Sequence, residues 1–367
     1  MTILSLPTYF EWRDPEALDF LCAQLWSSHI EFLVRRIAGH ASADTTGRSS
    51  AIISQLKSLP VNHFKSILNA PETCHSVYRV PTDGDTQLWN FLDQSILAEK
   101  IFLGIVAPLA EPIWNANGSR SFRKSRYSDP VQYESPQFQG LIFDTESPFA
   151  KTEITASSFR PEFGSYHPFS KEDLEHVLFH SFAAVEVMSA QSVAPWILIN
   201  RLVKTVMPRV DKKNFTFKGS SNRGVIGRVN LINPHLEEIG HTQIANSLLH
   251  EAIHVILYLL EEQEDFFNHD PEALNGRLQS PWSGNSINPR AYVHGAFVWF
   301  GLFMFWLSDN RLNYFDPTIR DYYYEFCSRG YFGGDALKRL ESFRHIIRDD
   351  VWQALETMDK RMAELAH

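Results

Sequence analysis

The residues with the clearest chemical pattern are His250, Glu251 and His254, which stand in the order His-Glu-x-x-His. In an α-helix, side chains four residues apart project from the same face one turn apart, so two imidazoles can bind one cation. Glu251 then lies beside that cation, where a carboxylate can orient or deprotonate a bound water. The pattern predicts a metal site on a helix, with His250 and His254 as ligands.

A catalytic metal site usually takes a third protein ligand and keeps a position open for water or substrate. The extended metzincin motif is absent, because Leu257 and Leu260 stand where its glycine and its third histidine belong. The other potential ligands after the motif are Glu261, Glu262, Glu264, Asp265, His269 and His294. We interpret the acidic group at 261–265 as a solvated helix end, and Glu261 lies about 10 Å along the helix axis from His254.

His294 is the strongest of these candidates. It opens a predicted helix that is apolar on all sides over residues 296–305, and such a helix must be interior. A buried histidine needs a partner, for which a metal ion is the first hypothesis and a hydrogen bond to a carbonyl the alternative. A rival pair, His176 and His180, has the motif's spacing, but no acid follows its first histidine and its apolar neighbours are typical of a core helix.

The elements that must position these residues are mainly helical. Apolar residues recur at helical spacing over 15–37, 51–68, 86–101, 171–188 and 194–207. A β-branched segment at 225–232 predicts a strand directly before the motif helix, which is expected over about 242–264. The expected fold class is mainly α (α+β): a helical domain with a small sheet packed beside a zincin-like HExxH helix.

The 367 residues exceed what one typical core holds, which predicts one large or two closely packed domains. Residues 105–164 are rich in Pro, Ser and Asn and hold only short strand candidates, such as 141–144. We place the seam there, with a helical N-terminal region at 1–140 and a metal-binding catalytic region at 141–367. The basic stretch at 119–128 is expected to be a solvated loop, although it could dock an acidic peptide or phosphate.

Composition narrows the class of partner and the compartment. Hydrophobic residues at 44% and charged residues at 21% are ordinary for a folded chain, and the net charge of −9 argues against nucleic acid. Three distant cysteines make no disulfide framework, which fits a reducing cytoplasm. The most apolar stretch, 296–307, is shorter than the roughly 20 residues that span a bilayer, so no membrane partner is expected. The oligomeric state is left open.

Two segments follow the motif: Ser280-Pro281-Trp282 and Pro289-Arg290-Ala291-Tyr292-Val293-His294-Gly295-Ala296-Phe297. They resemble a bacterial family, the HExxH-motif peptide-modification proteins, which are often encoded beside ribosomally made natural-product precursors. The resemblance covers residues 219–309. It implies an iron(II)- and 2-oxoglutarate-dependent peptide β-hydroxylase.

Carried over by position, the resemblance implies metal ligands at His250, His254 and His294, the same three histidines that the residues indicate by themselves. Three protein ligands on an octahedral iron leave two sites for the keto acid and one for dioxygen. The resemblance also places Arg290 near the 2-oxoglutarate carboxylate, which the planar guanidinium binds bidentately. The alternatives for that role are Arg201, Arg223, Arg228 and Arg277.

Three functions follow as hypotheses. The first is an iron(II)/2-oxoglutarate-dependent oxygenase that hydroxylates a side-chain carbon of a precursor peptide. The second is a zinc-dependent metallopeptidase with Glu251 as general base, because imidazole ligands suit zinc and iron alike. The third is a non-catalytic peptide-binding module. In an oxygenase no water need lose a proton, and Glu251 would instead fix a ligand or the peptide.

Overall fold

The computed structural model describes residues 3–83, 85–124, 130–151, 167–212, 215–308, 314–333 and 335–365. The chain is mainly helical, with 65% helix and 10% strand, which confirms the predicted mainly α (α+β) class. Of the helices in these ranges, none combines the length and the apolar character needed to cross a membrane.

The α-helices in the described ranges are α1 (Leu6–Tyr9), α2 (Pro15–Ala43), α3 (Arg48–Ser58), α4 (Val61–Leu68), α5 (Pro71–Asp83), α6 (Asp85–Phe102), α7 (Pro148–Lys151), α8 (Lys171–Gln191), α9 (Val193–Leu202), α10 (His241–Gln263), α11 (Asp270–Asn275), α12 (Pro289–Leu307), α13 (Pro317–Phe332), α14 (Ala336–Leu340) and α15 (Asp349–Leu365). Short 3₁₀ helices cover Ile3–Ser5, Arg223–Val225 and Glu341–Ile346.

In the part of the chain that the structure describes, the strands form three small sheets. They are β1 (Ile113–Trp114), β2 (Arg120–Lys124), β3 (Pro130–Glu134), β4 (Gln137–Phe138), β5 (Leu141–Phe143), β6 (Thr205–Arg209), β7 (Lys218–Ser220), β8 (Arg228–Ile232), β9 (Leu278–Gln279) and β10 (Ser286–Ile287). The largest sheet has the order β4-β5-β6-β8-β7, with parallel pairing of β5 with β6 and of β6 with β8. The order β1-β2-β3 forms an antiparallel sheet, and β9 pairs with β10.

Contacts divide the chain into two compact units, each assembled from several segments. Unit 1 comprises Met1–Leu25, His180–Arg201 and Gly240–His367, and unit 2 comprises Trp26–Phe179 and Leu202–Ile239. The motif helix α10 belongs to unit 1, whereas the five-stranded sheet belongs to unit 2. The predicted boundary between residues 140 and 141 follows a different division and stays a prediction.

Two local predictions are wrong. The helix expected over 194–207 ends at Leu202, and Thr205–Arg209 is the central strand β6, buried at every position. A parallel strand that is buried on both faces shows no alternation, so its apolar run cannot be distinguished from a buried helix by periodicity. The loop expected at 119–128 contains strand β2, Arg120–Lys124, and residues 125–129 lie outside the described ranges.

In unit 1, the apolar helix α12 packs closely on the motif helix. A Cβ on Gly301 would lie 2.8 Å from Cδ1 of Ile253 and 3.4 Å from the ring of Phe10, so the bare glycine leaves room for these two side chains. Ile253 is completely buried and directly precedes His254. The close contact between α10 and α12 therefore fixes the motif residues against a rigid apolar core.

In unit 2, Asp144 follows strand β5 and is completely buried. It accepts a hydrogen bond from the Ser147 amide at 2.9 Å and a short one from the Ser147 hydroxyl. Gly118 leaves the room that this carboxyl needs, because a Cβ there would collide with it. Burial raises the pKa of Asp144 from 3.8 to about 6, against the opposing effect of the Ser147 hydrogen bonds.

We expect Asp144→Asn to alter how stability depends on pH. Because the folded-state pKa is raised, the protonated carboxyl stabilises the fold below pH 3.8, and that contribution is lost as the pH rises through about 6. The shift corresponds to on the order of 3 kcal/mol. The amide does not ionise. In urea unfolding between pH 4 and 7, the free energy of unfolding of the variant should therefore rise relative to that of the natural protein as the pH rises. Parallel profiles would contradict this.

Asp44→Asn is the matched control. Hydrogen bonds from Thr46 and Ser49 hold the pKa of this surface carboxyl below its usual range. Its ionised form therefore contributes stability above the unfolded pKa that is lost as pH falls. Because this loss occurs below pH 3.8, the free energy of unfolding of the Asp44 variant should run parallel to that of the natural protein from pH 4 to 7, unlike that of the Asp144 variant.

Candidate functional site

The motif residues lie in the middle of α10, His241–Gln263, one residue from each end of the predicted range. At the start of the helix, the Gln243 side chain accepts a hydrogen bond from the Gly240 amide at 3.1 Å. Apolar side chains at 0–1% exposure surround the motif from Ile244 to Leu259. Glu251 is buried at 4% exposure, whereas 23% of the His250 side chain is accessible. The helix thus presents one accessible and one deeply placed polar residue at adjacent positions.

The third histidine lies on α12, Pro289–Leu307. Asn288 caps this helix by accepting from the Ala291 amide at 2.7 Å, and Pro289 occupies its first turn. The helix therefore begins earlier than the sequence indicates, and His294 stands in its second turn rather than at its start. The expected interior position is confirmed, because His294 is 4% exposed and nearly every side chain after it is buried.

The structure brings the three predicted histidines together. The ring centroids of His250 and His254 are 5.0 Å apart, and those of His254 and His294 are 5.7 Å apart in a stacked arrangement. Nδ1 of His254 lies 3.4 Å from Nδ1 of His294. Residues 40 positions apart in the sequence therefore face each other through nitrogen atoms.

Burial keeps the two motif histidines uncharged. Desolvation lowers the pKa of His250 to about 4. Desolvation also lowers the pKa of His254 well below its usual value, with further effects from His250 and His294. Both imidazoles are consequently neutral at pH 7, and a neutral imidazole has the lone pair that a metal ligand requires.

These residues fit a metal ion in two ways: their neutral imidazoles can act as ligands, and one distance between two of their nitrogens suits a shared ion. Metal–nitrogen bonds of about 2.0–2.1 Å place two ligand nitrogens about 3.0 Å apart at a right angle and about 3.4 Å apart at a tetrahedral angle. The 3.4 Å between His254 and His294 falls in that range. Within the described ranges, no group of three His, Cys, Asp or Glu side chains is arranged to hold a metal ion in this conformation. The rival pair His176 and His180 therefore has no third ligand beside it among the described residues either.

Aromatic side chains that the sequence analysis did not connect with the site surround the histidines. The ring centroid of Trp299 lies 5.0 Å from that of His250, in an edge-on arrangement. It also lies 5.0 Å from the ring centroid of Phe326. Tyr258 lies 5.3 Å from His294, measured between ring centroids. The spacing could have indicated Tyr258, which stands one helical turn after His254. Trp299 and Phe326 thus form an apolar pair of rings beside His250.

Glu261 does not lie at a solvated helix end, so the prediction for this residue is wrong. Its carboxylate is 3% exposed, forms a short ion pair with Arg290, and has Oε2 3.3 Å from Nε2 of His294. Glu264, by contrast, is exposed. Positions 250, 254, 258 and 261 follow one face of α10, so helical spacing could have indicated that Glu261 belongs with the site.

Arg290, the predicted keto-acid ligand, is buried and ion-paired. Besides Glu261, it donates to Asp265 at 2.9 and 3.1 Å and lies 4.9 Å from the centre of the Phe267 ring. Among the alternatives, Arg201 pairs with Asp19, Arg228 with Glu72, and Arg277 donates to the carbonyls of Leu274 and Gly276. Which arginine binds a carboxylate ligand stays a prediction.

Comparison with known proteins adds no identification. No family model matches the sequence, and no curated protein matches it significantly.

Proposed function

We propose that this protein is an iron(II)- and 2-oxoglutarate-dependent oxygenase that hydroxylates a side-chain carbon of a peptide in the cytoplasm. The observation that carries the proposal is the group of His250, His254 and His294, in which two nitrogens have the separation of ligands on one ion. The block at 289–297, through its resemblance to HExxH peptide-modification proteins, supports iron over zinc and a precursor peptide as substrate.

The proposed reaction balances with dioxygen as oxidant. 2-Oxoglutarate loses carbon dioxide and becomes succinate, which takes one oxygen atom, while the other forms the new hydroxyl group on the peptide. Iron(II), when bound, supplies the binding and activation of dioxygen.

The chain's own residues bind the metal and shape its surroundings. The low pKa values of His250 and His254 leave their lone pairs available at neutral pH. Trp299 and Phe326 offer an apolar surface to the peptide beside His250 in this proposal. Glu251, with Oε1 3.9 Å from Nε2 of His250, orients that ring in this proposal.

Anaerobic reconstitution tests the metal and the co-substrate together. Iron(II) is added to the metal-free protein, followed by 2-oxoglutarate, and the visible spectrum is followed for the charge-transfer band of a chelated keto acid. We then expect succinate to form when air is admitted. The matched control is His269→Ala, because His269 is an exposed histidine that pairs with Glu272. This variant should keep both signals.

The other two hypotheses predict different results. A zinc peptidase would retain zinc, show no band, and cleave peptides in a reaction that Glu251→Gln abolishes. A binding module would keep its peptide affinity and its function in His250→Ala. Either result would replace the oxygenase proposal.

A further inference from the structure

Glu261 and His294 make a contact that the proposed reaction does not itself require. His294 is a buried imidazole with one nitrogen directed to each of two neighbours: Nδ1 to His254 at 3.4 Å and Nε2 to Glu261 Oε2 at 3.3 Å. Within the described ranges, Nε2 of His294 has no completed hydrogen bond, although this carboxylate oxygen lies within reach of it. The ring is therefore placed between a carboxylate and a prospective metal ligand.

The chemistry of the two neighbours decides which nitrogen of His294 carries the hydrogen. An ionised carboxylate accepts hydrogen bonds and does not donate them. The ion pairs with Arg290 favour the ionised form of Glu261. The Nε2 atom that faces Glu261 is thus the favourable place for the hydrogen of a neutral ring, and the lone pair then stands on Nδ1, on the side of His254.

We propose that Glu261 is a positioning residue for the metal site: its carboxylate, held by Arg290, keeps the hydrogen of His294 on Nε2 and leaves the Nδ1 lone pair facing His254. This inference rests on the metal site of the proposed function. Carboxylates that accept from the distal nitrogen of a metal-bound histidine fix its tautomer and raise its basicity. Arg290 then acts through Glu261.

Two geometric features support this assignment over a purely structural ion pair. Glu261 lies on α10 and His294 on α12, so the contact joins the two helices that carry the proposed ligands. Arg290 is one turn before His294 on the same helix, and Asp265 also accepts from its guanidinium. The guanidinium that holds the Glu261 carboxylate is thus itself fixed by Asp265, just beyond the end of α10.

The first measurement uses metal-free protein. Nitrogen-15 NMR of protein labelled at histidine, with His294 assigned by comparison with His294→Gln, reports which ring nitrogen carries the hydrogen. We expect Nε2–H in the natural protein and a mixture or the opposite tautomer in Glu261→Leu. Glu261→Gln keeps an acceptor oxygen and should lie between them. An unchanged tautomer in Glu261→Leu would overturn the proposal.

The second measurement is cobalt(II) affinity and the visible spectrum of bound cobalt. Removal of such a carboxylate is expected to weaken metal binding by about 10- to 100-fold. Glu261→Leu should show this loss with an altered cobalt spectrum, and Glu261→Gln a smaller one. The matched control is Glu99→Leu, which removes another buried carboxylate paired to a histidine, His63, at 2.5 Å in unit 2. Loss of cobalt affinity in Glu99→Leu as well would overturn the specific role of Glu261.

Arg290→Gln separates the two roles that Arg290 can have. If Arg290 supports Glu261, the Arg290→Gln variant should bind cobalt more weakly even when 2-oxoglutarate is absent. Unchanged cobalt affinity with weakened 2-oxoglutarate binding would overturn its positioning role and make it the keto-acid ligand. If the natural protein binds no metal, the proposed function fails, while the tautomer of His294 still tests the role of Glu261.

Discussion

Replacing His254 by alanine is expected to abolish metal binding. His254 is the middle member of the histidine group, with ring contacts to both His250 and His294. Loss of a direct ligand should exceed the roughly 10- to 100-fold effect of losing a supporting residue. In the natural protein, a metal present at 100 times its Kd should stabilise the fold by about 2.7 kcal/mol. Thermal unfolding with and without iron(II) or cobalt(II) measures this, and the His254 variant should show no shift.

This variant should remain folded without metal. His254 is neutral at pH 7 because burial lowers its pKa, so its loss leaves no uncompensated charge. His269→Ala again serves as the control and should keep the metal-dependent shift. A His254→Ala protein that is still stabilised by metal would show that the ion binds elsewhere, for which the rival pair His176 and His180 is the first place to look.

The second large effect concerns stability. Arg228 on strand β8 and Glu72 on helix α5 form an ion pair inside unit 2, at 4% and 2% exposure. Removing one member of a buried pair leaves a charge without compensation and typically costs about 3–5 kcal/mol. We therefore expect Arg228→Met to lower the free energy of unfolding by that amount, as measured by urea denaturation.

The double variant Glu72→Leu with Arg228→Met is the test of this cause. Replacing both members of a buried pair with apolar residues is often close to neutral, so the double variant should recover most of the lost stability. If the losses of stability in Glu72→Leu and Arg228→Met simply add in the double variant, the broken ion pair is not their cause. The folded fraction of the Arg228 variant should bind 2-oxoglutarate as tightly as the natural protein does. The reason is that the Arg228 guanidinium is already paired with Glu72.

Local sequence patterns predicted several features correctly. The motif helix was expected over 242–264 and extends over His241–Gln263, because an apolar face of period 3.6 is a local property of the chain. The interior position of His294 followed from a segment that is apolar on every face. The strand expected at 225–232 is present as Arg228–Ile232 for a similar reason, its β-branched composition.

Local sequence patterns could not predict contacts between residues that are far apart in the chain. Arg290 and Glu261 are 29 positions apart, and their pairing changed a residue expected in solvent into a buried one. Strand β6 was mistaken for the end of a helix, because burial on both faces by its neighbours removed the alternation that marks a strand.

The sequence by itself therefore determined the helical class, the motif helix with its pair of histidines and the interior position of His294, since each depends on residue type and spacing along one element. Only the tertiary structure decided which nitrogen atoms of His254 and His294 face each other, and that Glu261 stands behind His294. The physical reason is that these relations depend on how α10 packs against α12, where Gly301 allows the close approach to Ile253.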